Sequence, residues 1–505
     1  MGIINWINVG EVSAENDKNL HHYFYDTGIS KNLINNDRTY LMLGRKGAGK
    51  TAVYQHLISD RCTLFQGSDI RVPLSLQSYS WNAHALLANR EKAAGFEHRD
   101  SWRFVLAVES IAAYTKSKIE KGEALSEKIK AANNLLENLF KSPTPSWIEL
   151  LGEKLFSISK FKLPSFGVEE AGGLSMDAGE VSFDEIQNNP ELLRNLNRNI
   201  DGLTRHLEHI IKTEIIDCRI FILFDRLDEG WVESSLTSCK EIISGLVHAA
   251  DYFADHFNGI IRPVIFLRED IFLNLDINDK NKLLEDFGNT LAWSQDSLEK
   301  MILERINFYA SRSGAARISQ MDMLFDRQEM RNRNRPRNYI LSRTFYRPRD
   351  VICFLGRTIK AMKEESQYDE TINTLEQLRG EDIYSAEPGY SEWLYNELRD
   401  EWGVQKPELF EHIAHLQEIN YSIFSKQSLI DRLLSGDSIK NKTEARDAIK
   451  FMFDNSVIGF KKEDNKWRFK CQRPSQGFQD TDLYKVHPGL IRGLGLTESS
   501  EELPD

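Results

Sequence analysis

The sequence predicts an α/β fold, a mainly parallel sheet covered by helices on both faces. Three observations predict it. Short, almost continuously apolar runs recur: RTYLMLG at 38–44, IRVPLSL at 70–76, RIFILFD at 219–225 and RPVIFLR at 262–268, with NTLAW at 289–293 as a short fifth. Long segments with helical periodicity separate them. The first run ends in the glycine-rich stretch GRKGAGKT, and a helix-like segment, TAVYQHLISD, follows at once. Near-continuous apolar runs read as strands buried on both faces, and helical crossovers between them make the strands parallel.

The whole chain sets the frame for these elements. Its 505 residues are 41% hydrophobic and 28% charged, an ordinary globular composition that predicts two to four domains. The net charge of -12 restricts any nucleic-acid contact to a local basic face. Five scattered cysteines, Cys62, Cys218, Cys239, Cys353 and Cys471, form no CxxC pair, which excludes a zinc ribbon and fits reduced thiols. The N-terminus, MGIINWINVGEVSAEND, lacks a basic leader region, and no run of 18 apolar residues follows. The expectation is a soluble, cytoplasmic protein without a membrane segment.

Phosphate oxygens need several donors converging on a small volume. Glycines let a backbone turn tightly enough to supply them, and the next helix adds its positive N-terminal end. GRKGAGKT matches G-x-x-x-x-G-K-[ST] and has the required strand before it and helix after it. Gly44, Lys46, Gly47, Ala48, Gly49, Lys50, Thr51 and Ala52 are therefore the candidate nucleotide-binding residues. Lys50 is expected to reach the β/γ-phosphates and Thr51 to hold Mg²⁺ through its hydroxyl.

A second motif follows the third run, in FILFDRLDE. Asp225, at a strand end, is the candidate Mg²⁺ carboxylate. Asp228 and Glu229 come next, and Glu229 is preferred to orient or deprotonate the attacking water. Arg268 closes the fourth run in VIFLRED, where it either touches the γ-phosphate or pairs with Glu269 or Asp270. No NKxD tetrapeptide is present, so ATP is preferred to GTP.

These residues carry a resemblance. The loop, hhhhDxxDE and an arginine-ended strand resemble the additional-strand, catalytic-glutamate P-loop NTPases, which include signal-transduction ATPases with numerous domains and initiator-type AAA+ proteins. The chain also resembles a family of bacterial P-loop ATPases that share AExDxxLxxYF (Ala14 to Phe24), GRKGAGKTA, LREDIF, WSxxxLxxMIxxRI (Trp293 to Ile306) and RPRD. The C-terminal VHPGL also fits. The resemblance implies strand order 5-1-4-3-2, with the fourth strand between the loop strand and the Asp225 strand. It implies that Arg347 and Arg349 stand where lid helices place a second phosphate-sensing arginine. Members often lie near phage-defence or DNA-metabolism genes, which implies a bacterial protein with a defence role.

The expected organisation is a lead-in over 1–36, an ATPase core over 37–293 with a helical insertion at about 80–210, and a helical lid over 294–400. A winged-helix domain over 401–495 and an acidic tail over 496–505 complete it. Within the insertion, 160–183 reads as a hairpin or mobile loop. The winged helix rests on two helices followed by SVIGF, the turn KKEDNK and WRFKC. Lys461, Lys462, Lys466, Arg468, Lys470 and Arg473 cluster there, either to meet DNA phosphates or as the surface of a packing domain whose Trp467 and Phe469 are core.

The functional expectation is an ATP- and Mg²⁺-dependent hydrolase that works as a conformational switch. It acts in antiviral defence with a protein effector such as a nuclease, as a homo-oligomer or hetero-complex. The rival readings are a DNA-binding, initiator-like or repair ATPase that meets nucleic acid through the winged helix, and a scaffold that binds ATP without hydrolysing it.

Overall fold

The computed structural model describes residues 2–77, 79, 81–89, 92–142, 145, 157–160, 190–436, 438–462 and 464–499. The expected hairpin or loop at 160–183 falls almost wholly outside them. The chain divides into two compact units. One comprises Met1–Tyr25, Lys46–Gly49 and Ala292–Asp505; the other comprises Asp26–Arg45 and Lys50–Leu291.

The second unit is the α/β body. Its strands are β1 (Leu41–Gly44), β2 (Ile70–Ser75), β3 (Ile220–Asp225), β4 (Ile261–Arg268) and β5 (Gly288–Thr290), all parallel, in the order β2-β3-β4-β1-β5. This is the expected 5-1-4-3-2 order read from the other edge. Every residue of β1, β3 and β4 is buried, which is why these runs are apolar without alternation. Register places Gly44 beside Arg268 and Phe224 beside Ile265, so β1, β4 and β3 end side by side.

The described part of the insertion is helical and packs on this body. The helix Arg99–Glu120 buries almost its whole first three turns, and the helix Pro190–Glu214 joins the same core. Trp102 is fully buried; its indole Nε1 donates to Ile242 O at 2.8 Å, and its ring meets Phe224 of β3 edge-on. Burial of such a ring without a hydrogen-bond acceptor would be costly, and the carbonyl supplies it. The helix Ile29–Asn35 ends on Arg262 of β4, whose guanidinium donates to the carbonyls of Leu33, Ile34 and Asn36. One side chain thus serves three helix-end carbonyls, with the Thr39 amide and Arg219 also donating to those of Asn36 and Ile34.

The first unit is mainly helical, with helices Gln295–Arg312, Pro336–Ser342, Pro348–Glu365, Gly380–Trp402 and Glu408–Ile419. Pro336 and Pro348 sit at helix starts, where a missing N–H costs nothing. The lead-in motif is structural here. Asp17 accepts from Tyr23 Oη and from Arg305 Nη1 (2.9 Å), and Arg305 also donates to Val9 O. Helices Lys426–Ser435 and Lys442–Asp454 then precede a hairpin. Strands β6 (Ile423–Ser425), β7 (Ile458–Lys461), β8 (Trp467–Arg468) and β9 (Leu483–Val486) form an antiparallel sheet in the order β6-β9-β7-β8. Phe469 is buried, and His487 of VHPGL lies between the rings of Phe345 and Phe469. Among the described residues, no helix is long and apolar enough to cross a membrane.

Candidate functional site

The second unit gathers its polar chemistry at the ends of β1, β3 and β4. Lys50 opens the helix Lys50–Ile58, and its Nζ donates to Gly44 O (2.9 Å) and Arg45 O (3.2 Å). Burial pushes its pKa down, while the nearby carboxylates of Asp228, Asp270 and Asp225 favour its charge and Arg268 opposes it. An ammonium in such a position gains strongly from an added anion.

Asp225 ends β3 and is buried. Burial raises its pKa to about 6, against the opposing help of the Arg226 amide, Lys50 and a hydrogen bond with Thr51. Thr51 and Asp225 thus bring a hydroxyl and a carboxylate together. Hard oxygen donors of this kind suit Mg²⁺. A cation beside Asp225 would also relieve the cost of its buried charge, so the residues fit the ion.

The next turn separates the two acids. Arg226 takes a left-handed φ of 63°, and its Nη1 pairs with Glu229 at 3.3 Å. Asp228 instead faces Arg268, at 3.6 Å. Arg268 is itself buried and holds Asp270 through Nε (3.1 Å) and Nη2 (2.8 Å). Asp270 is a partner that sequence reading named only as one of two choices. The Gly230 carbonyl, just beyond, accepts from Ser235 Oγ (2.9 Å) and Cys239 Sγ (2.7 Å), which braces the acidic turn.

In the first unit, Lys46–Gly49 are held by the helical segment. Gly47 and Gly49 have φ of 80° and 100°, conformations that side chains rarely adopt. Trp293 Nε1 donates to Ala48 O at 2.8 Å, Arg347 Nη1 to Lys46 O at 3.0 Å and the Arg349 amide to Gly47 O at 3.4 Å. Lys46 Nζ pairs with Asp400 (3.0 Å) and lies 3.6 Å from Glu397, which also holds Arg349 Nη1 at 3.1 Å.

Arg347 is buried and held by two carboxylates. It is 2% exposed, pairs with Asp350 at 3.0 Å and with Glu401 at 3.2 Å, and its Nη2 finds no acceptor among the described residues. Arg349 is the more accessible of the two and packs directly over Gly47. Sequence reading did not single out Trp293, Glu397, Asp400 or Glu401. Trp293 was visible as the first letter of WSxxxLxxMIxxRI; the three acids carried no local signal.

Comparison with known proteins adds three findings. A protein of Escherichia coli (strain K12), described as a putative transposon gamma-delta 80.3 kDa protein, is 23% identical over 539 residues, covering 98% of this chain and 69% of that protein. Among solved structures, Cdc6p from Pyrobaculum aerophilum aligns over 95% of this chain and 96% of that one, at 11% identity and a TM-score of 0.32, too low to carry a functional argument. Residues 296–399 match the family model described as the FunZ-associated C-terminal helical domain.

Proposed function

We propose that the chain binds ATP with Mg²⁺ at residues 44–51 and hydrolyses it. The observation that carries this reading is the clustering of Lys50, Thr51, Asp225, Asp228 and Arg268 at the neighbouring ends of β1, β3 and β4. In open parallel sheets, ligands bind beyond the carboxyl ends of the strands.

Lys50 exchanges its carbonyl partners, Gly44 and Arg45, for phosphate oxygens. The amides of Gly47, Ala48, Gly49, Lys50 and Thr51 add donors. Thr51 and Asp225 would hold Mg²⁺, which would supply neutralisation of the phosphate charge. Glu229 orients the water and takes its proton once it leaves Arg226. Arg268 lies on β4 between the β1 and β3 ends and stabilises charge developing on the transferred phosphate. Arg349 responds to the γ-phosphate by leaving Glu397, which makes the cycle a switch. The resemblance to bacterial P-loop ATPases supports a regulatory place in antiviral defence with a separate effector.

The test is phosphate release by the purified chain beside K50A and E229Q, with D228N for comparison. Loss of turnover in K50A and E229Q, with ATP still retained by E229Q, fits the proposal. Unchanged turnover in K50A would end it, and a larger loss in D228N than in E229Q would move the base to Asp228.

One observation favours nucleic acid as the partner. Lys442, Arg446 and Lys450 recur every fourth residue along one exposed stripe of the helix Lys442–Asp454, Arg446 also pairing with Asp480 at 2.7 Å, in a helix–helix–hairpin order that supports a winged helix. The transposon name of the Escherichia coli relative points the same way. On this reading, double-stranded DNA raises turnover, with binding that weakens steeply in salt.

A further inference from the structure

We infer that Trp293 is a positioning residue for the polyphosphate of the nucleotide, acting with Arg347 through the backbone of the loop. The inference rests on the nucleotide reading above and adds to it how the loop is shaped.

Three successive carbonyls, those of Lys46, Gly47 and Ala48, accept hydrogen bonds from donors outside the loop: Arg347 Nη1 (3.0 Å), the Arg349 amide (3.4 Å) and Trp293 Nε1 (2.8 Å). No peptide among the described residues is cis. In a trans peptide, the carbonyl of one residue and the amide of the next point in opposite directions. Drawing these three carbonyls toward residues 293, 347 and 349 therefore aims the amides of Gly47, Ala48 and Gly49 the opposite way. Those amides belong to the G-x-x-x-x-G-K-[ST] stretch that cradles phosphate.

The chain needs this help for a physical reason. Gly47 and Gly49 hold positive φ, and glycine has the most backbone freedom to lose on ordering. A loop of that kind samples many peptide orientations unless its carbonyls are held. Held in advance, the amides meet phosphate without a further ordering cost, which is preorganisation. Arg347 is suited to the same work because Asp350 and Glu401 fix its guanidinium. Trp293 is suited because its ring, packed beside Gly49 with Cζ2 at 4.0 Å from an added Cβ, sets where its N–H points.

The substitution W293F separates positioning from packing, since it keeps an aromatic ring and removes the N–H donor. Isothermal titration of the full chain with ATP, with inorganic tripolyphosphate and with adenosine reads the effect, beside the melting temperature without ligand. W293F is expected to weaken ATP and tripolyphosphate about five- to tenfold, the size of one lost hydrogen bond in a site already ordered. Adenosine binding stays as in the unmutated chain, and the unliganded melting temperature falls only slightly, by the loss of one hydrogen bond. Equal tripolyphosphate affinity in W293F and the unmutated chain would overturn the inference. So would an equal loss of adenosine affinity, which makes Trp293 a packing residue. An unmutated chain that binds neither ATP nor tripolyphosphate would instead remove the nucleotide reading, and this inference with it.

Discussion

Glu397 Oε2 holds Arg349 Nη1 at 3.1 Å, and the same oxygen lies 3.6 Å from Lys46 Nζ. One carboxylate thus serves two cations, one of which, Arg349, the proposed function assigns to the γ-phosphate. Phosphate has to compete with it. Replacing Glu397 with Gln removes the competing charge and keeps the shape. ATP affinity is expected to rise about two- to fivefold, in line with a partly exposed ion pair. A titration showing unchanged or weaker binding in E397Q counts against Glu397 as a competitor.

Gly47 combines a φ of 80° with an Arg349 Cβ only 3.1 Å from where its own Cβ would stand. G47A is expected to weaken ATP binding at least about tenfold, because a left-handed non-glycine residue costs about 1–2 kcal/mol before the contact is counted. Gly28, with φ of 94° and nothing within 4 Å, is the control for backbone strain alone. G28A binding ATP as well as the unmutated chain, with G47A impaired, is the expected pair of results. Equal behaviour of the two variants removes the loop from the explanation.

Arg347 is buried against Asp350 and Glu401, so R347A leaves two carboxylates without their cation. Such a loss costs about 3–5 kcal/mol. Urea unfolding followed by tryptophan fluorescence is expected to show a clear fall in midpoint for R347A and a small one for R349A. A midpoint for R347A within error of the unmutated chain contradicts the buried network.

Buried histidines link stability to pH. Burial pushes His248 down to about 4, with Arg99 adding to the effect, and burial pushes His84 down as well. A histidine held neutral in the fold favours folding fully above its ordinary pKa. That contribution is lost as pH falls from the ordinary value of 6.5 through the depressed one. Stability is therefore expected to decline between about pH 6.5 and 4, with a shallower decline in H248Q. Melting curves at pH 7.5 and 5.0 check this; an unchanged difference between the two pH values in H248Q assigns the acid sensitivity elsewhere.

Much of the fold was written in consecutive residues. Runs such as IFILFD and RPVIFLR are apolar at every position because both sheet faces are covered, so they could be read as parallel strands without a partner in view. The glycine stretch announced itself in the same way, because a strand, a tight turn and a helix start are local events. Even the place of β4 between β1 and β3 followed once FILFD and VIFLR were matched to known patterns.

The partners of the site were settled only in three dimensions. Nothing near Arg347 in sequence says that its guanidinium serves Glu401 and the Lys46 carbonyl as well as Asp350. Nothing in the 76 acidic residues marks Glu397 as the one shared by Lys46 and Arg349. Asp228 and Glu229 are neighbours, yet the left-handed turn at Arg226 precedes a split that gives one to Arg268 and the other to Arg226. Periodicity reports which face of an element is buried. Which charged tip meets which depends on how distant elements pack, and electrostatic partners within a few ångströms are decided there. The sequence by itself determined the sheet and the loop; the tertiary structure decided which side chains hold that loop in shape and which carboxylates answer its cations.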